Sequence, residues 1–417
     1  MFATATLRSS FAVMASSEMV QDEGRSPSRL HSKSPVFISI GMMAHNEAER
    51  IESALRSLLD QDLLRSSSAI VELQILANGC TDQTVAIAQE TLTKIAPCAY
   101  FSNLRWSVEV IAQAGKSNAW NAFVHQCSDL AADYLFLMDA DIELLGTNTL
   151  QSMVDTLERN PQADVAVDRP IKDVVLKNSK TLPEQIFTAI AHLSGERFGK
   201  AKEEAPAWIC GQLYCGRPSA LRQIRLPISS LAEDGLLYQL LVTDSLRSPS
   251  NPHRVILAKS AAHSFEAYTR LDLLLKHERW RIISNSVNDL LLTSLRQRGL
   301  TGPAVSHYIH HQNQQNPRWL NELVMTQTRR RRWLLPRSML TRRFVSLADK
   351  PLLGAILMLP MAIAAFLVDL WLACLANRDL HRGVALKYWG KPAPASTTRI
   401  RTGKPFRRPL APATRKG

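Results

Sequence analysis

Along the first half of the chain, short apolar runs alternate with stretches of helical spacing. Val36 to Gly41 (VFISIG) predicts a strand, and Ile51, Leu55, Leu58 and Leu59 predict a helix over Glu47 to Asp60. Val71 to Leu76 predicts a second strand, running into Asn78-Gly79-Cys80-Thr81-Asp82. Thr81 or Asp82 can cap a helix over Gln83 to Lys94. Ser107 to Ala112 predicts a third strand, and Gly115-Lys116-Ser117-Asn118 opens a helix through Gln126. Tyr134 to Met138 is the fourth strand and Ala163 to Asp168 the fifth. This alternation predicts an α/β protein with a doubly wound, mostly parallel sheet. Asn46, Asn78, Asp82, Asp139 and Asp141 then fall at strand ends and converge on one edge, where open α/β sheets bind ligands.

Asp139-Ala140-Asp141 follows the most apolar of these strands. A strand sends residues i and i+2 to one face, so the two carboxylates are expected side by side. Like charges disfavour each other's ionisation. A divalent cation on a nucleotide diphosphate relieves that, because Mg²⁺ and Mn²⁺ take oxygen ligands and keep substrate phosphates in their shell. By itself the tripeptide reads equally well as a solvated acidic turn.

After residue 170 the pattern loosens. Glu184 to Phe198 predicts a helix, Trp208 to Tyr214 a strand or loop under a site, and Val255 to Ala258 a short strand. Leu231-Ala232-Glu233-Asp234-Gly235 opens a helix through Val242. Leu271 to Leu292 predicts a long amphipathic helix carrying Lys276-His277-Glu278-Arg279-Trp280. His307, His310 and His311 stand before the polar run Gln312 to Asn316, which predicts a loop. Residues 1–34 are Ser-rich without periodicity and are expected to be disordered.

Pro351 to Ala376 is the most hydrophobic stretch. Leu352 to Val368 is uncharged, and its 17 residues as a helix span roughly 26 Å, just short of a bilayer's hydrocarbon core. Pro360 sits near its middle and basic clusters lie on both flanks. Two basic flanks favour a re-entrant or interfacial helix-break-helix over a single tilted span, with a buried core helix as the third option. The resulting division is a disordered 1–34, a catalytic domain over 35–295, a basic helical linker or interfacial region over 296–350, a hydrophobic membrane segment over 351–376 and a basic tail over 377–417.

Charge sharpens this picture. The 417 residues carry a formal net charge of +13, much of it in Arg329 to Arg332, Arg342-Arg343 and the tail from Lys391. A basic C-terminal third suggests an anionic membrane surface or nucleic acid. No nucleic-acid-binding motif accompanies it, so no nucleic-acid partner is expected. The six cysteines show neither CxxC nor metal-ligand spacing and are expected to be reduced, mostly buried thiols of a cytoplasmic protein.

The order AHNEAERIESALRSL, NGCTDQT, GKSNAWN, FLMDAD, GQLYCGR, AEDG, KHERW resembles a membrane-associated, inverting family 2 glycosyltransferase of the GT-A fold over roughly residues 36 to 285. The resemblance implies a Rossmann-like sheet flanked by helices and transfer of a sugar from a nucleotide-sugar donor, a UDP-sugar first. It implies that Asp139 lies near ribose and metal, that Asp141 is the principal Mn²⁺ or Mg²⁺ ligand, and that Asn46, Glu47, Asn78 and Asp82 stand in the nucleoside loops. Asn78 replaces an Asp common in the family; an amide can still pair with a uracil edge. Lys116 either faces the nucleotide or points to water. Asp234 matches the family's general base, though an N-cap role is also open. Arg279 and Trp280 resemble the Q/R-x-x-R-W signature, implying a diphosphate ligand and an acceptor platform; a membrane-facing helix is the alternative. Lys276 departs from that signature and weakens the case for a processive synthase.

The expected protein is therefore a metal-dependent glycosyltransferase on the cytoplasmic face of the inner or plasma membrane, with a lipid or lipid-linked saccharide acceptor. An exopolysaccharide synthase is the second enzyme reading. An inactive nucleotide-sugar-binding scaffold at the membrane is the non-enzyme reading.

Overall fold

Strand β1 (Val36–Ala44) is buried along almost its whole length, because it has neighbours on both sides and helices on both faces. The computed structural model describes residues 35–95, 101–176, 207–266, 271–336, 339–341, 344–345 and 352–383. Strand β2 (Ala69–Asn78) pairs parallel with β1, and β3 (Leu104–Ile111) parallel with β2. On the other side of β1 lies β4 (Tyr134–Asp139), also parallel, with Met43 opposite Asp139. These four strands end together, which brings Ala44, Asn78, Ile111 and Asp139 to one edge.

Beyond β4 the sheet changes direction. With β5 (Glu143–Leu145), β6 (Val165–Lys172), β7 (Leu213–Gly216) and β8 (Val255–Phe265), the order is β3-β2-β1-β4-β7-β6-β8-β5. β7 is antiparallel to β4 and β6, β8 is parallel to β6, and β5 is antiparallel to β8. The α/β class is as expected, but the sheet is mixed; mostly parallel pairing holds only for its first half. Three-residue β5 is too short to carry a pattern, and β8 runs much further than Val255 to Ala258.

Period-two alternation on β4 separates two cores. Tyr134, Phe136 and Met138 point into one, with Leu55, Leu58 and Leu157. Leu135 and Leu137 point into the other, with Trp120, Phe123, Leu236 and Leu240. A Cβ at Gly41 would sit 2.6 Å from the Phe123 ring, so only glycine lets the helix Lys116–Ala122 and the π-turn after it lie this close to β1.

The C-terminal helices join the second core. Val305, Ile309, Trp319, Leu320 and Val324 are buried there, so Pro303–Gln315 and Trp319–Arg330 are packed helices and not a linker. His307, His310 and His311, expected in a loop, lie on the first of them. The apolar stretch is one continuous helix, Leu352–Arg382, with Pro360 inside it. The expected break at Pro360 does not occur: proline removes one ladder hydrogen bond, and the apolar residues on both sides continue the helix. The helix is not a core helix either. Leu372, Ala373, Ala376 and Leu380 pack against Leu271–Gln297 and Trp319–Arg330, while Leu357, Met361 and Leu367 are exposed. By length and composition it could cross a membrane. Glu184 to Phe198, residues 1–34 and the tail beyond 383 lie outside the described residues.

Candidate active site

The site forms where the four parallel strands end. After β1 the chain turns through Asn46, whose φ of 58° is a left-handed conformation that asparagine tolerates. Its Oδ1 accepts the Thr81 N–H at 2.8 Å, tying the β1 loop to the β2 loop. Asp82 completes the tie: Oδ1 accepts from the Thr84 N–H at 3.0 Å and Oδ2 from the Ala48 N–H at 3.2 Å. Burial opposes ionisation of Asp82, but these donors outweigh it and hold its carboxyl below the usual range. Thr84 Oγ1 also receives the Glu47 N–H at 2.8 Å.

Asn78 is a clamp. Its Nδ2 donates to the Ala44 carbonyl at 3.0 Å, its Oδ1 accepts the Gly115 N–H at 2.9 Å, and its own carbonyl meets His45 Nδ1 at 2.7 Å. At 3% exposed, it has its amide committed to backbone rather than turned toward a base edge. An aspartate here would have no proton for Ala44, which gives the departure from the family pattern a structural reason.

The carboxylates gather on the other side of this clamp. Asp139 follows Leu135 and Leu137 in the alternation and so projects to their face. β4 ends at Asp139, and Asp141 stands in the following turn. The expectation that both carboxylates project from one strand is therefore corrected: the Ala140 N–H still bonds the Met43 carbonyl of β1 at 3.0 Å, but the strand ends at Asp139 and Asp141 follows in the turn. Asp141 lies within electrostatic range of Glu47. Burial first, then Asp141, pushes the Glu47 carboxyl up to about 7.

Lys116 occupies the centre. Its Nζ lies 2.7 Å from Asp139 Oδ2, 3.0 Å from Glu233 Oε1 and 3.0 Å from the Gly211 carbonyl. Lys116 therefore does not point to water: its ammonium is tied three ways inside the site. Burial alone would favour the neutral amine, but Asp139 and Glu233 reverse it and hold the ammonium well above its ordinary pKa. One ammonium does not neutralise the whole set. Burial, reinforced by Asp141 and opposed by Lys116, pushes Asp139 up to about 8.

Asp234 is the second residue of the helix Glu233–Val242. Ala232 occupies the cap position without a side-chain cap, so the N-cap alternative for Asp234 falls away. Asp234 Oδ1 accepts the Gly235 N–H at 2.7 Å, and burial followed by Glu233 pushes its carboxyl up to about 6 against Lys116. Gly211, at φ 79°, faces this pair: a Cβ there would stand 3.0 Å from Asp234 Cβ and 3.1 Å from Glu233 Oε1. Asn288 holds the helix start, donating to the Ala232 carbonyl at 2.9 Å.

A buried relay supports this floor. Asp168 Oδ2 meets His263 Nδ1 at 2.7 Å with both side chains fully buried, and His263 Nε2 lies 3.2 Å from Gln212 Oε1. The Gln212 carbonyl accepts the Asp139 N–H at 2.9 Å. Sequence reasoning missed Glu233, Gly211, Asp168 and His263. Glu233 and Gly211 stand inside quoted motifs, whereas Asp168 and His263 meet across two strands and leave no local signal.

Arg279 and Trp280 sit elsewhere. Arg279 forms an ion pair with Asp379 of the Leu352–Arg382 helix, so its guanidinium is engaged by that helix and not by the carboxylate set. Trp280 stacks on His277 at 5.8 Å, and among the described residues its buried indole N–H has no hydrogen-bond partner.

Asp139 and Asp141 offer the oxygen ligands that a hard divalent cation takes, although among the described residues no group of three or more His, Cys, Asp or Glu side chains is gathered to hold a metal ion by itself.

Residues 39–207 match the model of glycosyl transferase family 2. A 4,4'-diaponeurosporenoate glycosyltransferase from Staphylococcus haemolyticus (strain JCSC1435) is 25% identical over 177 residues, 41% of this chain and 42% of the relative. The match thus spans less than half the length of that relative. Among solved structures, the mannosyltransferase PcManGT from Pyrobaculum calidifontis, in complex with GDP-Man and Mn²⁺, is 16% identical with a TM-score of 0.45, covering 85% of this chain and 87% of its own. Glucosyl-3-phosphoglycerate synthase from Mycobacterium tuberculosis, in complex with Mn²⁺, UDP and glucosyl-3-phosphoglycerate, is 18% identical with a TM-score of 0.38, covering 61% and 80%. Neither likeness bears on what this chain binds.

Proposed function

We propose, from the premise that residues 39–207 form a glycosyl transferase family 2 domain, that this chain transfers a sugar from a nucleotide-sugar donor to an acceptor hydroxyl with inversion. The carrying observation is the single ammonium of Lys116 shared by Asp139 and Glu233, with Asp234 next to Glu233 on the same helix turn. Asp139 and Asp141 would hold Mn²⁺ or Mg²⁺, which supplies neutralisation of the leaving diphosphate as the sugar bond breaks. Glu47 and the loops tied by Asn46 and Asp82 would seat the nucleoside, a uridine first. Asp234 takes the proton from the attacking hydroxyl. With a carboxyl at about 6 it is ionised at neutral pH yet basic enough to accept.

Lys116 has two duties in this reading. It keeps Asp139 and Glu233 close without a cation present, and it fixes the Gly211 carbonyl beneath Asp234. Arg279, paired with Asp379, ties its helix to the apolar helix.

The acceptor reading is a lipid or lipid-linked saccharide at the cytoplasmic membrane face. Its support is the exposed apolar side of Leu352–Arg382 next to exposed Arg330 to Arg332. That basic turn is fastened to the same helix: Asn377 Nδ2 donates to the Arg332 carbonyl at 2.9 Å, and Asn377 Oδ1 accepts the Leu334 N–H at 3.0 Å. Arginines at the base of an apolar helix suit an anionic headgroup layer.

The test is calorimetry of UDP and GDP with and without Mn²⁺, followed by nucleoside diphosphate release with membrane extract. Metal-dependent binding with release supports the transferase. Binding without release from any extract supports the scaffold, and no binding removes both. Flotation with phosphatidylglycerol vesicles tests the membrane part; a protein that stays in the dense fraction contradicts it.

A further inference from the structure

Trp208 is the anomaly near the site. Its large apolar side chain is 60% exposed, although tryptophan usually buries most of its surface. It is not a stray side chain. One ring face stacks on Tyr238, with centroids 4.2 Å apart and planes 23° from parallel, and Tyr238 is itself 3% exposed. The indole is therefore held on one side and presents its other side to solvent.

Its location is defined by chain and helix geometry. Tyr238 stands four residues after Asp234, so both lie on one face of the helix, about 6 Å apart along its axis. Trp208 also precedes Gly211 by three residues, and Gly211 lies so near Asp234 and Glu233 that an added Cβ would stand 3.0 and 3.1 Å from them. The aromatic pair thus lies about one turn from the Asp234 carboxylate. It lies on the β7 side of Asp139, whereas the loops holding Asn46, Glu47 and Asp82 lie on the β1–β2 side.

We infer that the Trp208–Tyr238 stack is the platform for a pyranose ring of the acceptor, oriented so that one ring hydroxyl reaches Asp234. A pyranose has an apolar C–H face and a polar rim. The open indole face matches the first, and Asp234 and Glu233 beside it offer acceptors to the second. A bare hydrocarbon chain would gain from the indole but would bring no donor to Asp234, whose partner among the described residues is the Gly235 N–H at one oxygen, and excluding water from the other oxygen is costly. A nucleobase belongs to the opposite side of Asp139. The assignment rests on the transferase reading and names its acceptor class as a saccharide rather than a simple lipid alcohol.

The test uses the full chain with Mn²⁺ and UDP, titrated with methyl β-D-glucopyranoside, methyl β-D-galactopyranoside and methyl α-D-mannopyranoside under saturation-transfer NMR. At least one pyranoside is expected to bind. Trp208→Ala should weaken it about tenfold or more and Trp208→Phe about threefold or less, with Mn²⁺-dependent UDP binding within twofold of wild type for both. Absence of pyranoside binding while UDP still binds overturns the platform and leaves the donor reading standing. Trp208→Ala binding within twofold of wild type also overturns it. Failure of UDP binding by the wild type removes the transferase reading on which the platform rests. In a separate arm, phosphatidylglycerol vesicles that shield Trp208 from acrylamide quenching as fully as a pyranoside does would assign the indole to the bilayer and overturn the platform.

Discussion

The two sides of Asp139 use polar side chains in opposite ways. On the β1–β2 side, Asn46, Asn78, Asp82 and Thr84 each bond to backbone groups of the loops around them. They form a finished scaffold. On the β7 side, Asp139 and Glu233 share one lysine beside Asp234, and burial holds the carboxyls of Asp139 and Asp234 above their ordinary range. Groups that hold a loop are satisfied within the protein, whereas groups that work on a ligand stay short of charge or hydrogen bonds until it arrives.

Substitutions can break that contrast, and the largest effect is expected at Asp234. Asp234→Asn should lower transfer by about a thousandfold or more, in the range of lost general base catalysis. Mn²⁺-dependent UDP binding should stay within about twofold; its loss would place Asp234 in the donor site. The same change should stabilise the free protein. A carboxyl held at about 6 instead of 3.8 is destabilised when ionised, so the penalty on folding grows as pH rises from 3.8 to about 6 and stays constant above. Removing that charge should add roughly 1 to 3 kcal/mol at pH 8 and nothing at pH 3.5, read by thermal or urea unfolding.

Lys116→Met comes next. It leaves Asp139 and Glu233 as largely buried carboxylates without a partner, and breaking such a pair costs about 3 kcal/mol or more. Saturating Mn²⁺ should restore part of the loss by binding only the folded state. No recovery with Mn²⁺ would separate Asp139 from the metal site.

Asn78→Asp probes the finished side. It removes the donor to the Ala44 carbonyl and buries a charge, and should cost about 2 kcal/mol in urea unfolding. The UDP-to-GDP affinity ratio should stay constant, since the amide faces backbone. A changed ratio would return Asn78 to the base-reading role.

The smallest effect is a pH profile. Transfer should fall about tenfold per pH unit below about 6, as Asp234 takes up its proton, and level off above. The midpoint should vanish from the residual rate of Asp234→Asn.

Much of this was legible before the fold. Period-two and helical spacing located β1 to β4, because strands buried on both faces must be apolar throughout. The order of short motifs predicted one site for Asp139, Asp141 and Asp234, and in the fold Lys116 joins Asp139 to Glu233, the neighbour of Asp234. What stayed hidden has common physical causes. β5 is too short to show a period. The Leu352–Arg382 helix runs through Pro360, where local chemistry predicts a break. Trp319–Arg330 looked like a basic linker because its arginines lie at one end, while Trp319, Leu320 and Val324 fill the core.

The sequence by itself determined that a buried strand ends in Asp139, that glycine and polar residues follow each parallel strand, and that an apolar segment lies among arginines. These are properties of neighbours along the chain. Only tertiary structure decided that Lys116 answers both Asp139 and Glu233, that Asn78 faces Ala44 instead of a ligand, that Arg279 turns to Asp379, and that Trp208 stacks on Tyr238 with one face open. Each depends on distances between segments far apart in sequence. Electrostatic and stacking energies fall off within a few ångströms, and periodicity does not encode distances of that kind.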